Sequence, residues 1–557
     1  MEEEVESILL LIDELKSEDH NIRLHSINSL EQIAEAIGEE RTREELIPYI
    51  NELLEDDNEE VLLALAAKLG ELSNYLGGPH HMNALLTPLN TLASNEEQVV
   101  RDKAVESINS IAAKVPLEVM QEELLGVVKA LATSDWYSAR IAGCALVRVP
   151  FERIGDKELL RLFEELVKDD TPMVRRAAAA QMGAMIQISG SKELKGLIEG
   201  LSSDEHDSVR QMALESALSV YKTEEELLWL AKKYSVDKSW RVRYTFLEHF
   251  REVLGPVENA QELVSYVVNL LSDSEPEVRS IMLDKLEVLA SKVSNQVIVT
   301  QILPALEKLA KDPSHYVKLS LMTALCQISY TFGSDMAIVR ALPMINQLIR
   351  DESFEVRMSF AENMRVFNEA IGPEKVITFS VPLITQMMND SQWRVRLKVV
   401  EYLPQLAELL GSDKFTEHLG TSVMKWIEDP VFAIRESVLD SLKQVSGLFG
   451  ENWLKQRLLP QIQILVTNPV FSKRMTALRA LFKLGEILPR EEVVSALQTL
   501  SQDSVPNIRF NVAKCVKHLK ELLYNDKRVI ESLQSIKEDP DSDVRFFVQE
   551  TLNTLGK

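Results

Sequence analysis

The sequence predicts an all-α superhelix: a solenoid of stacked helix pairs, curved into a horseshoe. Three observations lead there. A phrase, Asp-x-x-x-x-Val-Arg or a close variant, returns about every 36 residues, from Asp169 to Arg175, Asp237 to Arg243, Asp273 to Arg279, Asp351 to Arg357, Asp390 to Arg396, Asp503 to Arg509 and Asp539 to Arg545. A fixed period of this size marks repeated supersecondary units that bury their apolar faces on one another. The composition is 45% hydrophobic and only 6% aromatic, rich in Leu, Glu, Ala and Lys, and such usage favours helix. Within each period two stretches of helical apolar spacing are separated by a short turn.

In chain order, the basic position or its substitute falls at Arg23, Leu62, Arg101, Arg140, Arg175, Arg210, Arg243, Arg279, Lys318, Arg357, Arg396, Arg435, Arg474, Arg509 and Arg545, which gives fifteen units. Each unit reads as helix A, turn, helix B. Phe415, Leu419, Val423, Trp426 and Ile427 recur at helical spacing as one helix A. Asp429-Pro430 then breaks it, because the residue before proline avoids the helical region. Val395, Val399, Val400, Leu403, Leu406, Ala407 and Leu410 form the apolar stripe of one helix B, closed by Gly411. Helix A often carries its own proline, at Pro48, Pro88, Pro304, Pro343, Pro382 and Pro460, which removes a helical hydrogen bond and bends the axis. Thr42 and Glu45 have capping-box spacing ahead of one such helix. A bent outer helix with a straighter inner one resembles the HEAT repeat. The recurring Asp is placed to accept from backbone N–H groups in the turn. The recurring Arg can bridge to the Asp of the adjacent unit as a ladder. Leu62 breaks that ladder, and Lys473 replaces an apolar residue in the thirteenth unit. Steps shorten to 33–36 residues between Arg140 and Arg279 and again after Arg474, which implies trimmed loops. No linker divides the chain, so residues 1–557 read as a single solenoid.

The formal net charge of −25 argues against a general nucleic-acid binder, which needs a basic footprint. Cys144, Cys326 and Cys515 are odd in number, far apart and on core-like positions. They read as buried reduced thiols of an intracellular protein. The start, Met1-Glu2-Glu3-Glu4, lacks signal-peptide regions, and no apolar run approaches the ~20 residues of a membrane span. There is no Gly-rich phosphate loop, His-Glu-x-x-His or Cys-x-x-Cys. The pair His80 and His81 has no ligand partners nearby in sequence. Neither catalysis nor a cofactor is expected.

The turns stand out instead. Three residues before the ladder position lie Tyr137, Trp240, Phe354, Trp393, Phe432 and Phe471, with Trp136 one residue further back in its turn. Equivalent turns of a stack line up as a ridge, and Trp, Tyr and Arg dominate interface energetics. Arg176, Arg241 and Arg394 are second basic residues that the ladder does not need. Glu96, Glu97, Glu205 and Asp207 make other turns acidic. A ridge of alternating character reads as a docking code for particular proteins. Local packing of each aromatic on its own unit is the competing reading.

Longer phrases carry a family resemblance. Leu11-Ile12-Asp13-Glu14-Leu15, Tyr75-Leu76-Gly77-Gly78-Pro79, Val99-Val100-Arg101-Asp102-Lys103-Ala104-Val105-Glu106-Ser107 and Asp169-Asp170-Thr171-Pro172-Met173-Val174-Arg175-Arg176 resemble the scaffold (A, PR65) subunit of protein phosphatase 2A, a HEAT-repeat family. So do Asp237-Lys238-Ser239-Trp240-Arg241-Val242-Arg243-Tyr244, Trp393-Arg394-Val395-Arg396-Leu397 and Ile508-Arg509-Phe510-Asn511-Val512-Ala513-Lys514. The resemblance implies fifteen HEAT repeats and a non-catalytic scaffold. Repeats 1–10 (residues 1–380) would hold a regulatory B-type subunit, and repeats 11–15 (residues 381–557) the phosphatase catalytic subunit. Carried over, the catalytic-subunit ridge comprises Trp393, Arg394, Phe432, Ala433, Phe471, Pro506 and Asn507. The regulatory ridge comprises Glu96, Trp136, Asp170, Thr171, Pro172, Met173, Arg176, Glu205, Asp207, Trp240 and Arg241. Phe432 and Phe471 stand where the family often has Tyr. The resemblance further implies a heteromeric complex in the cytoplasm, with the nucleus as a second compartment. The alternative is an importin-like HEAT-repeat transport receptor, which would bind a small GTPase and basic cargo.

Overall fold

The computed structural model describes the backbone of residues 2–556 and the side chains of 8–331 and 333–556; all regular structure among them is helical. Two compact units are present, Met1–Val257 and Glu258–Lys557, and each is a stack of helix pairs.

In the first unit, Lys157–Val167 serves as a helix A. It buries Leu159, Phe163, Leu166 and Val167 against Val174, Ala178, Met182 and Met185 of the following helix B, Pro172–Ser189. That helix in turn packs on the next helix B, Asp207–Val220. Each fully buried Leu, Phe or Met contributes about 1.5–3 kcal/mol, so the stack is held mainly by this continuous apolar seam. The second unit repeats the scheme. Val395, Val399, Val400, Leu403, Leu406 and Ala407 are buried along one stripe, and Phe415, Leu419, Val423, Trp426 and Ile427 are buried on the adjoining helix A. Gly411 turns the chain between them at φ 72°, ψ 168°, a conformation that a Cβ would strain.

Four of the six helix-A prolines follow a local widening of the helix, whereas Pro88 follows the 3-10 segment Pro79–Leu85 and Pro382 follows the short helix Pro373–Phe379. Five-residue π-helical turns, Thr42–Leu46, Ile298–Ile302, Ala337–Ala341 and Leu454–Leu458, lead directly into the segments that begin with Pro48, Pro304, Pro343 and Pro460 at the second position. In each, the N–H of the residue before the proline bonds five residues back, as Ile47 does to the Thr42 carbonyl, which widens the helix where the proline supplies no donor. The capping box expected at Thr42 and Glu45 is not formed. Helix A has already begun at Glu39, behind Gly38. Thr42 is buried and donates its hydroxyl to the Gly38 carbonyl at 2.8 Å, while Glu45 pairs with Arg41 at 2.7 Å.

The ladder forms within both units. In the first, Arg23 pairs with Asp56, Arg140 with Asp169, Arg175 with Asp204 and Arg210 with Asp237. In the second, Arg279 pairs with Asp312, Lys318 with Asp351, Arg357 with Asp390, Arg396 with Asp429, Arg474 with Asp503 and Arg509 with Asp539. Each guanidinium works on two sides. Arg175 donates Nε and Nη2 to Asp204 at 2.6 and 3.0 Å, while its Nη1 serves the carbonyls of Asp169 and Asp170 in its own turn at 2.9 and 3.0 Å. The paired Asp folds its own turn by accepting from the N–H two residues on, as Asp204 does from His206 at 2.9 Å. The ladder therefore closes turns and fixes the spacing between units with the same side chains. Leu62 supplies no cation, and Asn95 stands where its acceptor would be.

Candidate functional site: the turns between paired helices

The aromatic residues singled out from the sequence share one structural position. Tyr137, Trp240, Phe354, Trp393, Phe432 and Phe471 are each the first residue of a helix B. Helical side chains lie back over the turn N-terminal to them, and a first residue has no such turn to cover. The consequence is exposure: Tyr137 is 40% exposed, Phe432 49% and Phe471 52%. Trp136, the cap residue before Tyr137, reaches 68%. Trp240, Phe354 and Trp393 are half-buried.

The second arginines lie outside the ladder, and two of them lie against these rings. The Arg241 guanidinium sits 5.0 Å from the Trp240 ring centre and that of Arg394 4.8 Å from Trp393. Both arginines, and Arg176, are exposed. Such cation–ring pairs stiffen both side chains and leave the outer guanidinium edge in water. In the second unit Phe432 is flanked by Arg435 at 5.6 Å and Arg479 at 4.8 Å. A shallow cleft lies between Phe432, Phe471, Met475, Arg479 and Asn507. Ala433 and Pro506 are half-buried beside it, and Asn507 is exposed.

In the first unit Glu96, Asp170, Met173 and Glu205 are exposed, and Thr171 and Pro172 are half-buried. Two of the acidic residues already have partners. Arg140 Nη2 reaches Asp170 at 3.3 Å and the Thr171 hydroxyl at 3.1 Å. Asp207 accepts from the Ser239 hydroxyl at 2.9 Å, which holds its carboxyl below the usual carboxylate range. The residues assigned to the catalytic-subunit ridge all fall in the second unit and those of the regulatory ridge all in the first.

Several exposed aromatics escaped the sequence reading. Tyr316 is 64% exposed and Phe546 64%. Lys514 lies 4.8 Å from the Phe510 ring and 3.9 Å from Phe547. Phe510 and Phe546 each directly follow a ladder Arg, a register that a search confined to the position three residues earlier passes over.

Cys144, Cys326 and Cys515 are buried free thiols, and burial pushes Cys515 up to about 12 and the other two higher still. His80 and His81 are exposed on the short helix Pro79–Leu85. No cluster of three or more His, Cys, Asp or Glu among the described residues is placed to hold a metal ion. No helix among them is long and apolar enough to cross a membrane.

Comparison with known proteins agrees with this architecture. A family model described as HEAT repeats matches residues 124–219, and one described as the PIK3R4-like middle domain matches residues 293–493. The chain is 46% identical over 146 residues to the protein phosphatase 2A scaffold subunit of Dictyostelium discoideum, a match covering 26% of this chain and 25% of that protein. It is 46% identical over 147 residues to the serine/threonine-protein phosphatase PP2A 65 kDa regulatory subunit of Drosophila melanogaster, covering 26% of this chain and 25% of that one. The matched stretch thus spans about a quarter of the length of these relatives. Among solved structures, Kap95 in its complex with Nup1 superposes with a TM-score of 0.53 at 14% identity, over 99% of this chain and 72% of that one. Kap121p bound to RanGTP gives 0.52 at 13%, over 100% and 57%. At such identities the likeness shows the fold alone. The chain is a solenoid of paired helices in which residues 124–219 match HEAT repeats, and over about a quarter of its length it is similar in sequence to scaffold subunits of protein phosphatase 2A.

Proposed function

We propose that this chain is the non-catalytic scaffold subunit of a Ser/Thr protein phosphatase 2A complex. It joins the phosphatase catalytic subunit to a regulatory B-type subunit through the turns between helices A and B. The observation that carries this reading is the 46% identity to a phosphatase 2A scaffold subunit over 146 residues. The turn geometry supports it: aromatic rings that are exposed or half-buried stand at equivalent positions of several repeats, and at Trp240 and Trp393 an exposed arginine outside the ladder lies against the ring. The catalytic subunit docks on residues 381–557, against Trp393, Arg394, Phe432, Ala433, Phe471, Pro506 and Asn507. The regulatory subunit docks on residues 1–380, against the turns of Glu96, Trp136, Asp170 to Met173, Arg176, Glu205, Asp207, Trp240 and Arg241. The scaffold acts by position: holding both partners raises the effective concentration of substrate at the catalytic site. The complex is heteromeric and works in the cytoplasm and nucleus.

The test is co-purification from cells with the double variant Trp393→Ala, Arg394→Glu. Loss of the catalytic subunit with unchanged helicity is the expected result. Undiminished capture sinks the assignment of that ridge, and recovery of a small GTPase in place of a phosphatase would favour a transport receptor.

A further inference from the structure

One rung of the ladder in the first unit has its cation but not its anion. In every complete rung the acceptor lies six residues before the next ladder Arg. Arg101 should therefore meet position 134, which is Ser. Arg101 is 5% exposed. Its Nη1 serves the carbonyls of Asn95 and Glu96 at 2.9 and 3.1 Å, as in the other units. Its Nε, which in Arg140 meets the Asp169 carboxylate at 2.7 Å, is buried without an acceptor. Arg23 Nε, the other buried ladder nitrogen lacking a well-aligned hydrogen bond, still lies 2.8 Å from Asp56. A buried guanidinium edge without an anion is costly.

Ser134 occupies the acceptor's place in other respects. Its Oγ accepts from the Trp136 N–H at 3.2 Å, the bond to the residue two further on that the Asp makes elsewhere. Its carbonyl accepts from Arg140 Nη1 at 3.0 Å. The facing turns have not slipped, since the Ser138 hydroxyl donates to the Ser94 carbonyl at 2.8 Å. Ser134 is half-buried, with solvent on one side to accommodate a group larger than a carboxylate.

We propose that Ser134 is a phosphorylation site and that Arg101 receives its phosphate as the missing rung. A protein kinase transfers the terminal phosphoryl group of a nucleoside triphosphate. The Oγ–P bond forms as the bond from that phosphorus to the bridging oxygen breaks. The nucleoside diphosphate leaves, and the hydroxyl proton passes to the kinase's base and then to solvent. The phosphate brings oxygens fit for the Nε–Nη2 fork of a guanidinium. The inference rests on the ladder geometry and is independent of which partners dock.

The experiment incorporates phosphoserine at position 134 of the full chain during synthesis and reads the thermal midpoint and the 31P titration. The midpoint of the first unit should rise by about 2–4 °C, and the second phosphate ionisation should fall below its usual ~6. Both effects should vanish in Arg101→Met. A fall or no change in the midpoint, an unshifted 31P titration, or the same gains without Arg101 would overturn the proposal. Should Arg101→Met not fold, Ser134→Asp in the otherwise unaltered chain must still raise the midpoint, and no rise refutes the rung. Phosphopeptide mapping of protein isolated with phosphatase inhibitors should find the modification; a clean Ser134 peptide would reject it.

Discussion

The rung between Arg210 and Asp237 gives the sharpest test of how the stack is held. Both side chains are nearly sealed from water, at 3% and 6% exposure. Nε and Nη2 of Arg210 each meet an Asp237 oxygen at 2.7 Å, and Nη1 donates to the Asp204 carbonyl at 2.7 Å. Arg210→Met keeps the apolar stem and deletes all of these bonds. The Asp237 carboxylate is then left in the seam with the Ser239 N–H at 2.8 Å as its remaining hydrogen bond. Removing one partner of a buried pair costs about 3–5 kcal/mol, most of it from the charge left behind. Asp237→Asn removes that charge, so the double variant should cost less than the two single losses summed, with a coupling of about 1.5–3 kcal/mol. Because repeats open locally, the readout is urea unfolding followed by circular dichroism together with hydrogen exchange in the helices Asp207–Val220 and Trp240–Glu248. Losses that simply add, to within ~0.5 kcal/mol, would refute the view that the ladder fixes the spacing between units.

Further expectations follow from the same geometry. Burial pushes the Asp204, Asp390 and Asp503 carboxyls upward, but the arginine fork and the turn N–H outweigh it and hold all three below the usual range. Their contribution is therefore complete above the unfolded pKa of ~3.9 and is lost as pH falls through the lower folded value. The urea midpoint should hold down to about pH 5 and decline below about 4, and Asp390→Asn should shrink that decline. Gly143→Ala places a Cβ 2.8 Å from Ala132 Cα and 2.9 Å from its nitrogen, backbone that cannot step aside, and should cost about 1–3 kcal/mol in urea unfolding. Gly126→Ala meets open space within the helix Leu125–Ala132 and should instead stabilise by about 0.5–1 kcal/mol.

The ladder was legible in the sequence because a buried bidentate pair tolerates few substitutes, so Asp and Arg recur where apolar positions drift. Local hydrogen-bond geometry was far less legible. Thr42-x-x-Glu45 and Thr223-x-x-Glu226 present the same pattern, yet only the second forms a capping box. Thr223 has extended backbone after a completed helix, at φ −82°, ψ 150°, whereas Thr42 is already helical at φ −60°, ψ −44°. The letters do not carry that difference; Gly38, four residues upstream, does. The π-turns were hidden likewise, since Met120–Leu124 forms one with no proline behind it. At the site, the sequence located Asp170, Thr171 and Asp207 on the turns. It could not show that Arg140 and Ser239 engage them, because those partners come from neighbouring repeats.

Each turn separates holding the stack from presenting a surface, and the helix-B register explains how. In Trp393–Glu401 the ring is on the first residue, the second arginine on the next, and the ladder Arg396 on the fourth. Helical side chains tilt toward the N-terminus, so Arg396 reaches back beneath the turn to the Asp390 carbonyl at 2.7 Å and across to Asp429 at 2.9 Å. Trp393 and Arg394 precede it and have no turn ahead of them to cover. Surface chemistry can therefore change at the first two positions without disturbing the fourth. Arg394→Glu should move stability by no more than the ~0.5–1 kcal/mol of an exposed cation–ring contact, while Arg396→Met should cost several times that. Equal losses in urea unfolding would mean that Trp393 and Arg394 belong to the packing of their own repeat, and the ridge they form would lose its claim to be a surface held ready for a partner.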